Sequence, residues 1–195
     1  MNGYADCMKH KRASFGILFA SAAAFICNAA LLKPLSIEEL SSKADVVVHG
    51  KVVSQTCQRD ATGQIYTSVK LDIEEVWKGN VDTNSFRIVH SGGVLGDEIE
   101  TCSAPVEYRV GEEVVALLVL NDRGEGITLG LVQGKFEVSA DKIGGPKFAR
   151  SMFHGKNGNL ARQANSLSTP TSGVTTGDGR LGLVEFRQRV TGGVK

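Results

Sequence analysis

Apolar and polar positions alternate in short stretches from residue 45 onward, and that rhythm predicts strands. Asp45-Val-Val-Val-His-Gly-Lys-Val-Val-Ser54 is apolar at both parities, which predicts a strand buried on much of its length. Asp60 to Gln64 reads as a turn. The clearest period follows, with Ile65, Thr67, Val69, Leu71 and Ile73 on one side and Tyr66, Ser68, Lys70, Asp72 and Glu74 on the other. It breaks at Glu74-Glu75, and Val76 and Trp77 resume out of phase. One inserted residue predicts a β-bulge or the strand's end, and bulges bend a sheet toward closure. Ser85 to His90 makes a third strand after the Lys78-Gly-Asn80 turn, and Ser91 to Pro105 reads as a long flexible loop. Val114 to Leu120 is again apolar at both parities, a central strand. Asn121 to Gly126 is a hairpin turn, and Ile127 to Val132 and Lys135 to Val138 complete the set. The expected class is mainly β: a small antiparallel five- to six-stranded OB-like barrel, with Trp77 as its plug.

Two short helices flank this barrel. Ser36 before Ile37-Glu-Glu39 has capping-box spacing, Leu35 is placed to staple, and the helix ends by Ala44. Leu181, Leu183, Val184, Phe186 and Val190 predict a short amphipathic helix over 181–190, docked on the barrel. Between them, 151–180 reads as a flexible Gly/Ser/Thr-rich linker. At the N-terminus, Met8-Lys-His-Lys-Arg12 precedes an apolar run from Phe15 to Ile26 and small residues at Ala29 and Ala30. That order is the pattern of a cleaved secretory signal over 1–30, the alternative being a retained anchor helix. The expected address is secreted or periplasmic, the barrel domain spans 35–150, and no membrane association is expected after cleavage.

Charge sharpens this layout. The chain of 195 residues has a formal net charge of +1, but residues 34–150 carry 12 basic and 18 acidic side chains. An acidic barrel is a poor grip for phosphate backbones, so no nucleic-acid partner is expected. Signal cleavage removes Cys7 and Cys27 and leaves Cys57 and Cys102. In an oxidising compartment that pair predicts one disulfide, closing a loop of about 45 residues.

Candidate chemistry is sparse. His10, His49, His90 and His154 stand apart in sequence, with no HExxH or HxH spacing, so no metal site and no cofactor are expected. His49 and His90 fall in strands as hydrogen-bonded structural residues. No G-x-S-x-G, P-loop or G-x-G-x-x-G occurs. Asp97, Glu98 and Glu100 put carboxylates on the long loop beside Gly92, Gly93 and Gly96, which makes that stretch the candidate binding loop.

Five stretches carry a resemblance: Ala44-Asp-Val-Val-Val-His-Gly-Lys-Val52, Ile73-Glu-Glu-Val-Trp-Lys-Gly79, Ser91-Gly-Gly-Val-Leu-Gly96, Tyr108-Arg-Val-Gly-Glu-Glu-Val-Val115 and Gly130-Leu-Val-Gln-Gly-Lys-Phe136. Their layout resembles a recurrent class of uncharacterised bacterial exported proteins. That class is in turn similar to the netrin-module and tissue-metalloprotease-inhibitor type of OB-fold barrel. The resemblance implies the barrel. It also implies a check, because those inhibitors chelate a protease zinc through an N-terminal Cys-x-Cys. No cysteine stands at the expected mature start near Ala30 or Leu31, so no inhibitory residue carries over.

Three function classes follow. The leading expectation is an exported non-catalytic interaction module, inhibitor-like in one version, with a protein partner and no enzymatic activity. The rivals are a hydrolase or metal-dependent enzyme using Asp97 to Glu100 with a histidine, and a structural envelope protein. Convergence of those side chains in a concave site is the geometric requirement of the enzyme.

Overall fold

The computed structural model describes residues 34–81, 84–102, 106–154 and 180–192. The signal-like segment and most of the expected linker lie outside them. The described chain runs α1 (Ile37–Lys43), β1 (Val46–Arg59), β2 (Ile65–Lys78), β3 (Ser85–Ser91), β4 (Gly93–Leu95), β5 (Glu98–Glu100), β6 (Glu113–Leu120), β7 (Gly126–Thr128), β8 (Lys135–Ala140), β9 (Lys147–Arg150), β10 (Leu181–Gly182) and α2 (Leu183–Gly192). Strands β1, β2, β3, β7 and β6 pair in that order and β6 returns to β1, closing a five-stranded barrel. All its pairings are antiparallel except β3 with β7. That order and that one parallel seam make the barrel OB-like. Beyond it, β8, β9 and β10 continue the sheet from β6.

The strands that are apolar at both parities are so because they are buried on both faces. Val46, Val48 and Val52 of β1, with Val114, Ala116 and Leu118 of β6, fill the barrel together with Val69, Leu71, Ile88 and Tyr108. Val47, Val115 and Leu117 point the other way, into a second core with Ile37 and Leu40 of α1, Phe136 of β8, and Phe186 and Val190 of α2. Trp77 belongs to this outer core and does not plug the barrel. The cause is a second irregularity: Val47 pairs with Lys78 and Val48 with Val76, so Trp77 is skipped in the ladder and turned outward. Its ring meets Phe186 edge-on, with centroids 5.4 Å apart at 89°.

Both helices close on that outer core. Ser36 Oγ accepts from Glu39 N at 3.1 Å while Ser36 N donates to Glu39 Oε2 at 2.8 Å, the reciprocal capping box. At the other end of α1, Lys78 Nζ donates to the Ser41 and Ala44 carbonyls, 2.6 Å each, satisfying acceptors that the helix leaves open. Helix α2 docks as expected, though it starts at Leu183, and Leu181-Gly182 pairs with β9 instead. Arg189 pairs with Glu38 at 2.7 Å and Ser41 Oγ donates to the Val190 carbonyl at 3.0 Å. Ser36→Ala removes one half of the capping box, and a loss of about 1 kcal/mol is expected in urea titration.

Candidate functional site

The stretch after β3 is a hairpin, not the flexible loop its glycines suggest. Strands β4 and β5 pair through Gly93↔Glu100, Val94↔Ile99 and Leu95↔Glu98, joined by the two-residue turn Gly96-Asp97. Gly96 has φ +62°, the left-handed backbone that a first central turn position of type II′ needs. At the hairpin's base, a Cβ on Gly92 would lie 2.6 Å from the Glu100 carbonyl oxygen. One on Gly93 would lie 2.6 Å from Thr67 Oγ1 and 2.7 Å from Cys57 Sγ. Gly93 therefore lets the hairpin lie against β1 and β2, and Gly92 lets the hairpin's own two arms close at the base. Gly92 N donates to the Ile65 carbonyl at 2.8 Å, Glu100 Oε2 accepts from Ile65 N at 2.8 Å, and Glu98 pairs with Arg59 at 2.7 Å. Val94 and Ile99, facing each other across the hairpin, remain 57% and 71% exposed.

The expected Cys57–Cys102 disulfide is not formed, and both are free thiols. Thr67 Oγ1 donates to the Gly92 carbonyl at 2.7 Å, so the Cys57 thiol, 3.4 Å away, donates to Thr67. Cys102 instead lines the cavity beside the hairpin. Counting cysteines establishes that a pair exists and says nothing of which way each points.

That cavity measures about 390 Å3. It lies at the end of the barrel where the β1–β2 and β6–β7 turns meet the last residues of β3. Val89, Val106, Ile127 and Leu131 give it apolar walls, and His90 and Arg123 supply polar ones. Both turns are held by side chains that mimic backbone. Asp60 Oδ1 accepts from Thr62 N at 2.8 Å and Gln64 N at 3.0 Å. Hydrogen bonding from Thr62 and those amides holds its carboxyl below the usual range. Asn121 Oδ1 does the same for Arg123 N and Glu125 N, both 2.9 Å. Asn121 Nδ2 donates in turn to Glu125, which Arg123 also grips at 2.8 Å, and Glu125's carboxyl is likewise lowered. The rim is thus pre-set by local bonds, before any ligand arrives.

The candidate residues take separate places. Gly92 and Gly93 form the hairpin base, Gly96 and Asp97 its tip, and Glu98 and Glu100 its return strand. Glu98 and Glu100 serve different partners, and His90 Nδ1 donates to the Ser91 carbonyl at 3.2 Å. Among the described residues, the one group of three or more His, Cys, Asp or Glu side chains that converges is His49, Glu74 and Glu113, away from this loop. The residues that sequence reasoning missed here are Val94, Ile99, Arg123 and Ile127. A signal existed for the first two, an apolar residue on each side of Gly96-Asp97. The chain matches no protein-family model and no curated protein.

Proposed function

We propose that this chain is an exported, non-catalytic binding module that takes a segment of a protein partner across the hairpin tip and into the adjoining cavity. The observation that carries the reading is the Val94–Ile99 pair, two facing aliphatic side chains left in solvent on a hairpin whose flanking residues Ser91 and Cys102 line a concave, mainly apolar site, itself walled by the half-exposed Ile127 and Leu131. Apolar groups exposed together on a surface mark interaction sites, and burying each on binding contributes about 1–2 kcal/mol. The polar rim of Asp60, Asn121 and Arg123 offers fixed hydrogen-bonding groups to orient what enters. Delivery to the periplasm or the exterior is supported by the N-terminal pattern of basic, apolar and small residues. A protease partner is one version, supported by the barrel resemblance alone.

The test is capture from envelope extract, compared between the parent and a Val94→Ser, Ile99→Ser double variant. Recovery of the captured protein is expected to fall about 30-fold, the equivalent of roughly 2 kcal/mol. The thermal midpoint should stay within about 2 °C, because both side chains are solvated in the free protein. Undiminished recovery would show that the hairpin is not the binding surface.

A further inference from the structure

A second convergence of polar side chains lies on the outer face of the barrel, where β1, β2 and β6 run side by side. It owes its geometry to the break in alternation at Glu74-Glu75. In the β1–β2 ladder His49 pairs with Glu75 and Gly50 with Ile73, so Glu74 is the extra residue of a bulge. In a regular strand Glu74 and Glu75 would face opposite sides of the sheet. Here both reach the outer face. Glu75 accepts from Trp77 Nε1 at 2.8 Å and pairs with Arg187 at 3.2 Å. Glu74 Oε2 comes to 3.7 Å from His49 Nδ1.

His49 is 4% exposed. Its Nε2 lies 2.7 Å from Glu113 Oε1, the same oxygen that accepts from Lys147 Nζ at 2.7 Å. Its Nδ1 has no group within hydrogen-bond distance among the described residues, since 3.7 Å to Glu74 is too long for one. For His49 and Glu113 to hold one ion, Nε2 gives up its hydrogen bond and becomes the ligand atom, since an ion on Nδ1 would lie across the ring from Glu113. One atom each from His49, Glu74 and Glu113 lie within 4.8 Å of one another. Ligands about 2.1 Å from a shared tetrahedral ion stand about 3.4 Å apart, so closing the set asks for up to about 1.4 Å of movement. Glu74, whose side chain is 48% exposed, has room to supply it. A cavity of about 430 Å3, walled also by Trp77, Leu183 and Arg187, opens onto the group.

We propose that His49, Glu74 and Glu113 bind a divalent transition-metal ion, zinc by the borderline character of a nitrogen-and-carboxylate donor set, with the open coordination positions facing this cavity. The three donors sit on three hydrogen-bonded neighbouring strands, so the ladder fixes their spacing. Lys147 holds the cation's place in its absence. Its ammonium neutralises Glu113, and its side chain is 41% exposed and able to swing into solvent. Metal and ammonium therefore compete for one carboxylate, and that competition separates a metal site from a structural ion cluster.

Zinc chloride titrated into the purified full chain, followed by calorimetry, is expected to show one ion per chain. Glu74→Gln should weaken binding at least about tenfold while leaving the fold intact, because Glu74 is on the surface. Lys147→Met should tighten it about fivefold by removing the competing charge. His49→Gln should abolish it, and the two surface variants keep the test decisive if that buried substitution unfolds the chain. Absence of zinc binding overturns the proposal, as does affinity indifferent to Glu74→Gln, or affinity unchanged or weakened by Lys147→Met.

Discussion

Phe186→Ala is expected to lower the stability of the whole fold by about 3–5 kcal/mol, as large aromatic truncations in closed cores do. Phe186 is fully buried, and its ring stands 4.4 Å from Phe136 and 5.4 Å from Trp77, centroid to centroid. Truncation removes two aromatic pairs as well as buried area, and it leaves a void between α2 and the sheet that neither partner can fill without backbone movement. A loss of that size is a large share of the 5–15 kcal/mol that holds a typical domain together. Urea titration followed by Trp77 fluorescence measures it, and Phe186→Leu, which keeps most of the volume, should lose about half as much. A midpoint within about 0.5 kcal/mol of the parent would mean that α2 does not depend on this contact.

Gly50→Ala should cost about 3 kcal/mol for a different reason. A Cβ there would sit 2.2 Å from the Asp72 carbonyl oxygen and 3.1 Å from Ile73 Cα, both backbone atoms that no rotamer change can move. The strands would have to part beside the bulge, the upper end of what overpacking costs. Gly182→Ala, with open space where its Cβ would go, should change stability by less than about 0.5 kcal/mol. Equal midpoints for the two variants would contradict the close approach of β1 and β2 at Asp72.

Much of this fold was legible because burial on two faces leaves a mark in composition. The doubly apolar runs at Val46 and Val114 announced strands covered on both sides, though not that a helix pair covers one of them. The broken alternation at Glu74 located a real bulge, while the adjacent irregularity at Trp77 reversed the face of the one tryptophan. Hairpin β4–β5 escaped notice because three-residue strands are shorter than the period-2 signal needs. Strand β9, four residues with a charge at each end, was invisible for the same reason. The cavity was harder still. Its walls come from turns and strand ends far apart in sequence, and none of its residues is unusual where it stands. Likewise His49, Glu74 and Glu113 look isolated along the chain, and only strand register brings them together.

The parallel seam between β3 and β7 rests on a single bridged pair, Ile88 with Gly126, whereas β1 and β2 are laddered along almost their whole length. A cylinder stapled so unevenly has a preferred line of separation. Opening along that line would break few backbone hydrogen bonds between strands. Val89, His90, Ile127 and Thr128 flank that line and also wall the hairpin-side cavity. The entrance and the weakest join of the barrel are therefore one place. A ligand wedged across it would act as the missing rungs, and occupancy would register as slower amide exchange along β3 and β7.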